Sequence, residues 1–211
     1  MQQPLQGPRH PAGGKRRFNT KWRDAADKIG GTGAARIRGG LERNEVLTSL
    51  NLRYNQIRAE GAAAIAEALR GNAVLTKLNL DGHELDLPKL RGTNPVESLD
   101  LSRKGLRPAS AIVIASLIAG NGVLTKLNLD GHELDLPKLR GTDPVTSLDL
   151  AAKGLGPASA IVIASLIAGN AVLTTLNLRF NNDGNEGALA LASALRVNEV
   201  LTTLDISESS K

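Results

Sequence analysis

The chain contains a block of 49 residues that is followed directly by a near-copy of itself. The block and its copy, residues 74–122 and 123–171, differ at six positions: Asn94/Asp143, Glu97/Thr146, Ser102/Ala151, Arg103/Ala152, Arg107/Gly156 and Gly122/Ala171. A fold that accepts such a tandem copy must be extendable along one axis, with each unit contacting only its neighbours. The repeat therefore predicts a linear array of stacked units.

Each block divides into a 21-residue short unit and a 28-residue long unit. Counting outward in both directions, units begin at residues 46, 74, 95, 123, 144, 172 and 200. In unit 46–73, Leu50 and Leu52 have the spacing of two that is typical of a strand with one buried face. Apolar residues then return at helical spacing, as Ile65 and Leu69 do. Each long unit is therefore predicted to contain one strand and one helix.

The same unit also has Asn55, Gly61 and Asn72 at fixed places, and unit 172–199 repeats them as Asn181, Gly187 and Asn198. Together with the leucines, this pattern resembles the leucine-rich repeat, in its 28-residue ribonuclease-inhibitor-like subtype, here alternating with short units. The resemblance covers residues 18–211. It implies an α/β fold, a right-handed solenoid or horseshoe with a parallel sheet on the concave side and helices on the convex side. A right-handed crossover is also the general rule for parallel strands.

The two short units lack the residues of a helical half. After LNLDGHELDLPKL, the chain is expected to turn at Gly92 or Gly141 and to start the next strand. Helices on alternate coils would leave gaps beside the central helices. Four apolar residues are predicted to fill these gaps: Ile112, Leu117, Ile161 and Leu166. The alternative is that they form an exposed patch that binds a partner.

Three regions are predicted along the chain. Residues 1–17 are polar, rich in Pro and Gly and free of acidic residues, and are interpreted as a disordered basic tail. Residues 18–45 are interpreted as a degenerate capping repeat in which Trp22 covers the first coil, because terminal repeats are usually atypical. Residues 46–211 form the repeat array. After its last strand the sequence has no covering helix, so a free strand edge is expected there, and the chain could be a fragment of a longer protein.

The excess of positive charge lies at one end of the chain. Residues 1–43 hold ten Lys or Arg and three acidic residues, a balance of +7, whereas the rest holds sixteen and eighteen, a balance of −2. Three interpretations are open: a solvated tail, a nuclear-localisation-like KRR cluster, or an arm that binds an acidic surface such as RNA or anionic lipid.

Several classes of protein are disfavoured by the composition. The chain has no cysteine, so disulfides and thiolate chemistry are excluded, and an intracellular, most simply cytoplasmic, place is favoured, with nucleus or organelle as alternatives. No apolar run reaches the length of a membrane span. The sequence has no recognisable catalytic constellation, and no cofactor is expected. His83 and His132 lie two coils apart, too far to share one metal ion, so no metal site is expected.

Polar side chains that alternate with the strand leucines are predicted to form the concave face. Interface hot spots favour Trp, Tyr and Arg, and on this face only Arg53, Arg179, Tyr54 and Phe180 qualify, all of them in the outer long units. The partner-binding candidates are Arg53, Tyr54, Lys77, Asp81, Asp100, Lys126, Asp130, Asp149, Arg179 and Phe180.

The predicted function is a non-catalytic scaffold that binds a protein partner through the concave face and the ends of the array, since the resembled family is dominated by binding modules. One alternative is a GTPase-activating or regulatory role, because proteins that activate the small GTPase Ran have similar repeats. Those proteins usually carry a long acidic C-terminal stretch, which this chain lacks. A second alternative is a structural subunit of a large assembly, docked through the basic arm and the free C-terminal strand, with self-association through that edge.

Overall fold

The computed structural model describes residues 31–55 and 57–208, in which short strands alternate with helices. In this part of the chain, five helices of eleven to thirteen residues lie side by side. Seven of its nine strands lie where the sequence predicted a strand. In chain order the elements are α1 (Gly31–Glu42), β1 (Ser49–Asn51), α2 (Ala59–Gly71), β2 (Lys77–Asn79), β3 (Glu84–Asp86), α3 (Leu87–Arg91), β4 (Ser98–Asp100), α4 (Pro108–Ile118), β5 (Lys126–Asn128), β6 (Glu133–Asp135), α5 (Leu136–Arg140), β7 (Ser147–Asp149), α6 (Pro157–Ile167), β8 (Thr175–Asn177), α7 (Gly184–Leu195) and β9 (Thr203–Asp205).

The sequence predicted a sheet that is parallel throughout, and the structure differs from this prediction. The strands form three sheets of three strands each, in the orders β1-β2-β3, β4-β5-β6 and β7-β8-β9. The pairs β1–β2, β4–β5, β7–β8 and β8–β9 are parallel, but β3 and β6 run antiparallel to the strands before them. The antiparallel hairpins arise because the short units turn back at Gly82 and Gly131, which have φ of +108° and +105°.

The short units have a single helical turn where the long units have a full helix, as one of the two alternatives for the LPKL segments, extended or single-turn, predicted. Leu87–Arg91 and Leu136–Arg140 each form a single helical turn, with Pro in the first turn and an aspartate, Asp86 or Asp135, that accepts a hydrogen bond from the backbone amide three residues on. Gly92 and Gly141 end these turns in the left-handed conformation, at the places where the sequence predicted that the chain turns.

The long helices contact one another across the short units. α2 contacts α4 directly, and α4 contacts α6, although a short unit separates each pair in the sequence. Leu117, Ile161 and Leu166 are buried as predicted, and Ile112 is half-buried. The core between helices and strands is almost wholly Leu, Ile, Val and Ala.

Asparagines near the ends of the long units link consecutive coils through hydrogen bonds to backbone groups. The Asn72 side chain donates to the carbonyls of Leu41 and Asn44 at 2.6 and 3.0 Å. Its oxygen accepts from the amides of Val74 and Leu75 at 3.0 and 2.8 Å. Asn121, Asn170 and Asn198 repeat this arrangement at the following coils. Each side chain satisfies backbone groups that would otherwise be buried without partners.

The short units have no such asparagine, and an arginine takes its place. The Arg91 guanidinium donates to the carbonyls of Leu75, Asn72 and Leu69 at 2.8, 2.6 and 3.2 Å. Arg140 does the same with Leu124 and Ile118. Burial lowers the pKa of both guanidiniums, which remain charged because the ordinary value is so high. Both arginines therefore bind the short units to the coil behind them.

Every unit places its ninth residue in the left-handed region of backbone space. The non-glycine residues there are Tyr54, Arg103, Ala152, Phe180 and Glu208, with φ between 53° and 64°. The two short units have Gly82 and Gly131 at this place. A residue with a Cβ costs roughly 1–2 kcal/mol in this conformation, so five units carry local backbone strain.

Ala152→Gly is therefore expected to stabilise the protein by about 1 kcal/mol, because relief of the strain outweighs the extra freedom of glycine in the unfolded chain. Urea unfolding measures the change in the free energy of unfolding. The matched control is Ala171→Gly, at a position where the other block already has Gly122 and where no positive φ is present. That control is expected to lose about 0.5–1 kcal/mol. Equal losses in both variants would contradict the explanation.

Candidate partner-binding surfaces

The predicted lysines on the strand face are paired with acidic residues of the unexpected hairpins. Lys77 Nζ lies 2.7 Å from Glu84 Oε1, and Lys126 Nζ lies 2.9 Å from Glu133 Oε1. Hydrogen bonding to these glutamates raises the pKa of both ammonium groups. Glu84 and Glu133 were not among the predicted residues, because the antiparallel strands that bring them beside the lysines were not expected. The centre of the strand face is consequently close to neutral.

Asp100 and Asp149 lie at the ends of β4 and β7, where they stabilise the following turns. The Asp100 carboxylate accepts from the backbone amide of Ser102 at 2.8 Å, and that of Asp149 accepts from Ala151 at 3.0 Å. The backbone hydrogen bond from Ser102 lowers the pKa of Asp100. Both residues are exposed, so their second carboxylate oxygens remain on the surface.

Asp81 and Asp130 cap the helices of the next long unit. Asp81 Oδ2 accepts from the backbone amides of Arg107 and Ser110 at 3.0 and 3.2 Å, at the beginning of α4. Asp130 makes the same two bonds at the beginning of α6, with Gly156 and Ser159. A carboxylate at a helix N-terminus satisfies free amides and opposes the helix dipole. These two candidates therefore have a structural role between units.

Arg53 and Tyr54 form an exposed pair at the end of β1. The Arg53 guanidinium carbon lies 4.4 Å from the centre of the Tyr54 ring, within the range of a cation–π contact, and the guanidinium donates to the Tyr54 hydroxyl. The Tyr54 residue is 84% exposed. Its left-handed backbone directs the ring away from the core.

Arg179 and Phe180 repeat this arrangement near the other end of the array. The Arg179 guanidinium carbon lies 5.0 Å from the centre of the Phe180 ring, and Phe180 is 52% exposed. Arg179 also pairs with Asp205 at 3.6 Å and with Glu208 at 3.1 Å. Its charge is thus largely satisfied within the protein, in contrast to that of Arg53.

Three of the ten predicted residues, Arg53, Tyr54 and Asp81, meet in one groove, which lies against the helices and has a volume of about 930 Å³. The remaining seven do not line it. The helix side, which the sequence predicted to be convex, is therefore indented. The groove is lined by residues of α2, α4, α6 and α7 and of the loops before α2 and α4, among them Arg58, Arg107, Ile112, Ile161, Glu186 and Leu189.

The sequence singled out Ile112 and Ile161, either to fill gaps or as an exposed patch that binds a partner, but no local pattern indicates that the groove residues lie together. They come from four helices, and the groove depends on how closely those helices approach one another. One signal was present: Arg107 is among the six positions at which the two blocks differ.

A second, smaller cavity of about 210 Å³ lies between β3 and β4, at the break between two sheets. His83 lines it beside Lys104, and burial and the nearby lysine lower the pKa of His83. Within residues 31–55 and 57–208, no group of three or more His, Cys, Asp or Glu is arranged to hold a metal ion.

The comparison with protein families finds the repeat in two places. Residues 43–66 and 169–192 each match the Leucine Rich repeat family, and both segments contain a parallel strand and much of the long helix after it. The chain therefore carries leucine-rich repeats. No curated protein matches the chain. In the described part of the chain, no helix has the length and apolar character that crossing a membrane requires.

Proposed function

We propose that this protein is a non-catalytic scaffold that binds a protein partner through exposed anchors on a leucine-rich-repeat solenoid of the ribonuclease-inhibitor-like subtype. Leucine-rich repeats commonly mediate protein–protein interaction, which supports the class of function. The proposal also places the protein inside the cell, and it gives the basic tail, residues 1–17, an accessory attraction for acidic partners. That tail lies outside the described residues.

The observation that carries the proposal is the pair of exposed arginine–aromatic contacts, Arg53 with Tyr54 and Arg179 with Phe180. Tyr and Arg are enriched among the residues that dominate binding energy, and a solvent-exposed ring is costly to keep without a partner. Both rings also occupy strained backbone positions, and such strain is often kept where it serves function.

Within residues 46–208, the aromatic residues lie in the two outer long units. The two central long units have Arg103 and Ala152 at the same ninth place, and neither is aromatic. A partner that uses both rings must therefore span the central blocks, so the proposal requires an extended or large protein surface.

Affinity purification from native extract tests this proposal. The wild-type protein is compared with a Tyr54→Asn/Phe180→Asn double variant, since Asn removes the rings yet tolerates the left-handed backbone. Arg103→Asn, at the same place in a central unit, is the matched control. Partners that survive a high-salt wash are expected to fall at least tenfold with the double variant and to remain with the control.

An identical set of bound proteins for all three forms would reject the rings as anchors. A protein lacking residues 1–17 is purified in parallel. Loss of every partner in that form, or at high salt, would move the binding function from the repeats to the tail.

A further inference from the structure

The floor of the groove is made by one recurring helix position. Ile112 of α4 and Ile161 of α6 are equivalent in the two blocks, and they correspond to Ala63 of α2 and Leu189 of α7. In the outer helices this position faces solvent, since Ala63 is exposed and Leu189 is 68% exposed. Ile161 is only 5% exposed at the same place. The helix side is therefore indented at its centre, and the side chains at the base of the indentation are aliphatic.

The rim at the α2–α4 side is basic. Arg53, Arg58 and Arg107 line the groove and are exposed, and none of them forms an ion pair within the part of the chain that the structure describes. Asp81, one of the two acidic residues that line the groove, accepts hydrogen bonds from two backbone amides at the beginning of α4. The other acidic lining residue, Glu186, belongs to α7 on the opposite wall.

One of the six differences between the blocks lies in the groove, where Arg107 lines it. Three of their six differences fall in the loop from β4 to α4, where Ser102, Arg103 and Arg107 stand against Ala151, Ala152 and Gly156 in the copy. The first block therefore carries two positive charges that the second does not. Of these two arginines only Arg107 lines the groove, so the basic rim combines one residue of this loop with Arg53 and Arg58 of unit 46–73.

We propose that this groove binds an acidic, amphipathic segment of a partner protein. Its apolar side chains would lie on the floor formed by Ile112 and Ile161, and its carboxylates would meet Arg53, Arg58 and Arg107. Arginine pairs well with carboxylates through two parallel hydrogen bonds. The inference rests on the proposed scaffold function and specifies the place and the chemistry of the partner.

Two other occupants fit less well. The chain's own N-terminal region is basic, with a balance of +7 over residues 1–43, and would be repelled by the rim. Single-stranded nucleic acid binds through stacking of bases on aromatic rings, but among the described residues Tyr54 is the one aromatic residue that lines the groove. An aliphatic floor suits Leu, Ile or Phe side chains instead.

Selection from a random library of 16-residue peptides displayed on phage tests the inference. The full chain is the target, and an Arg58→Glu/Arg107→Glu double variant is the counter-target. Enriched peptides are expected to combine Asp or Glu with Leu, Ile or Phe. Their dissociation constants, measured by fluorescence polarisation, are expected to rise at least tenfold for the double variant and for Leu189→Asp, and to rise with salt.

Arg196→Glu is the matched charge control, because Arg196 is an exposed arginine just after α7 that does not line the groove. It is expected to change the dissociation constants less than twofold. Circular dichroism establishes that all variants are folded. Failure to enrich any peptide, enrichment of peptides without acidic residues, or unchanged binding to the double variant would overturn the inference.

The same double variant separates this inference from the proposed function. If partners from native extract bind it as well as they bind wild type but are lost with Tyr54→Asn/Phe180→Asn, the scaffold function stands and the groove is rejected. Binding of labelled single-stranded RNA that competes with the selected peptides would also reject a protein segment as the occupant.

Discussion

Deleting residues 123–171, one complete block, is expected to leave a folded protein with a cooperative thermal transition. The deletion joins Gly122 to Val172, so that unit 95–122 is followed by unit 172–199. The strand segments of β4 and β7 are identical, and β7 is the natural parallel neighbour of β8. β4 can therefore pair with β8 in the same register.

The helices and linking side chains are also preserved in this deletion. α4 and α6 have the same sequence, PASAIVIASLI, so α4 offers α7 the surface that α6 normally provides. Asn121 replaces Asn170 and accepts from the amides of Val172 and Leu173. The melting temperature is expected to fall, because a repeat array loses the interface of each unit removed.

The matched control is deletion of residues 123–143, a short unit alone, which is expected to abolish cooperative folding. This shorter deletion places unit 95–122 directly before unit 144–171. α4 and α6 would then have to pack against each other as α6 and α7 do in the native protein. There, a Cβ added at Gly187 would lie 2.6 Å from the Ala160 Cβ, so that spacing requires glycine. Ser159 occupies the equivalent place in α6, and α6 would also lose its cap from Asp130.

Circular dichroism, light scattering and amide NMR spectra distinguish the two deletions. A native-like spectrum for the 21-residue deletion, or an aggregated product for the 49-residue deletion, would contradict the idea that the block is the structural unit. Adding Ser159→Gly to the shorter deletion is expected to recover part of its stability, because it removes the clash.

Asn170→Ala is expected to reduce the free energy of unfolding by about 3 kcal/mol or more. Asn170 is buried and makes four hydrogen bonds, donating to Lys138 and Leu139 carbonyls and accepting from Val172 and Leu173 amides. Alanine leaves these backbone groups without a partner, and each buried unsatisfied group costs roughly 1–3 kcal/mol. Domains of this kind are stable by only about 5–15 kcal/mol.

Urea unfolding of Asn170→Ala is compared with that of Asn185→Ala. Asn185 is exposed in the first turn of α7, so its replacement is expected to change stability by less than about 0.5 kcal/mol. Asn170→Asp keeps the acceptor but loses the donor, and is expected to fall between the two. A loss below 1 kcal/mol for Asn170→Ala would show that the link between coils is dispensable.

The long units could be predicted from the sequence because their signals are local. Leu50 and Leu52 indicate a strand, and the spacing of Ile65 and Leu69 indicates a helix, as the structure has them in β1 with its following residue and in α2. The hairpins were missed although Leu85 and Leu87 have strand spacing. The turn at Gly82 reverses the chain direction, and this reversal has no counterpart in the long units.

The residues of the candidate site were likewise predictable only where their signals are local. The arginine–aromatic pairs were found because unusual residue types mark them. The capping role of Asp81 was not found, since its partners lie 26 and 29 residues away in the next helix. Ile112 and Ile161 were singled out from the sequence, but the groove that they form with the arginines was not, because it depends on how α2 and α4 pack across a short unit.

The hairpins have a consequence for the curvature of the whole array. Each 49-residue block adds three strands, such as β2, β3 and β4 of residues 74–122, to one layer, but only one long helix to the other. Strands are about 4.8 Å apart, and packed helices are about 8–10 Å apart. A block is therefore wider on its strand side, by roughly 14 Å against 10 Å, and is expected to bend the array towards its helices. Units with one strand and one helix bend the other way, so the number of block copies sets how far the helix surface closes around its groove.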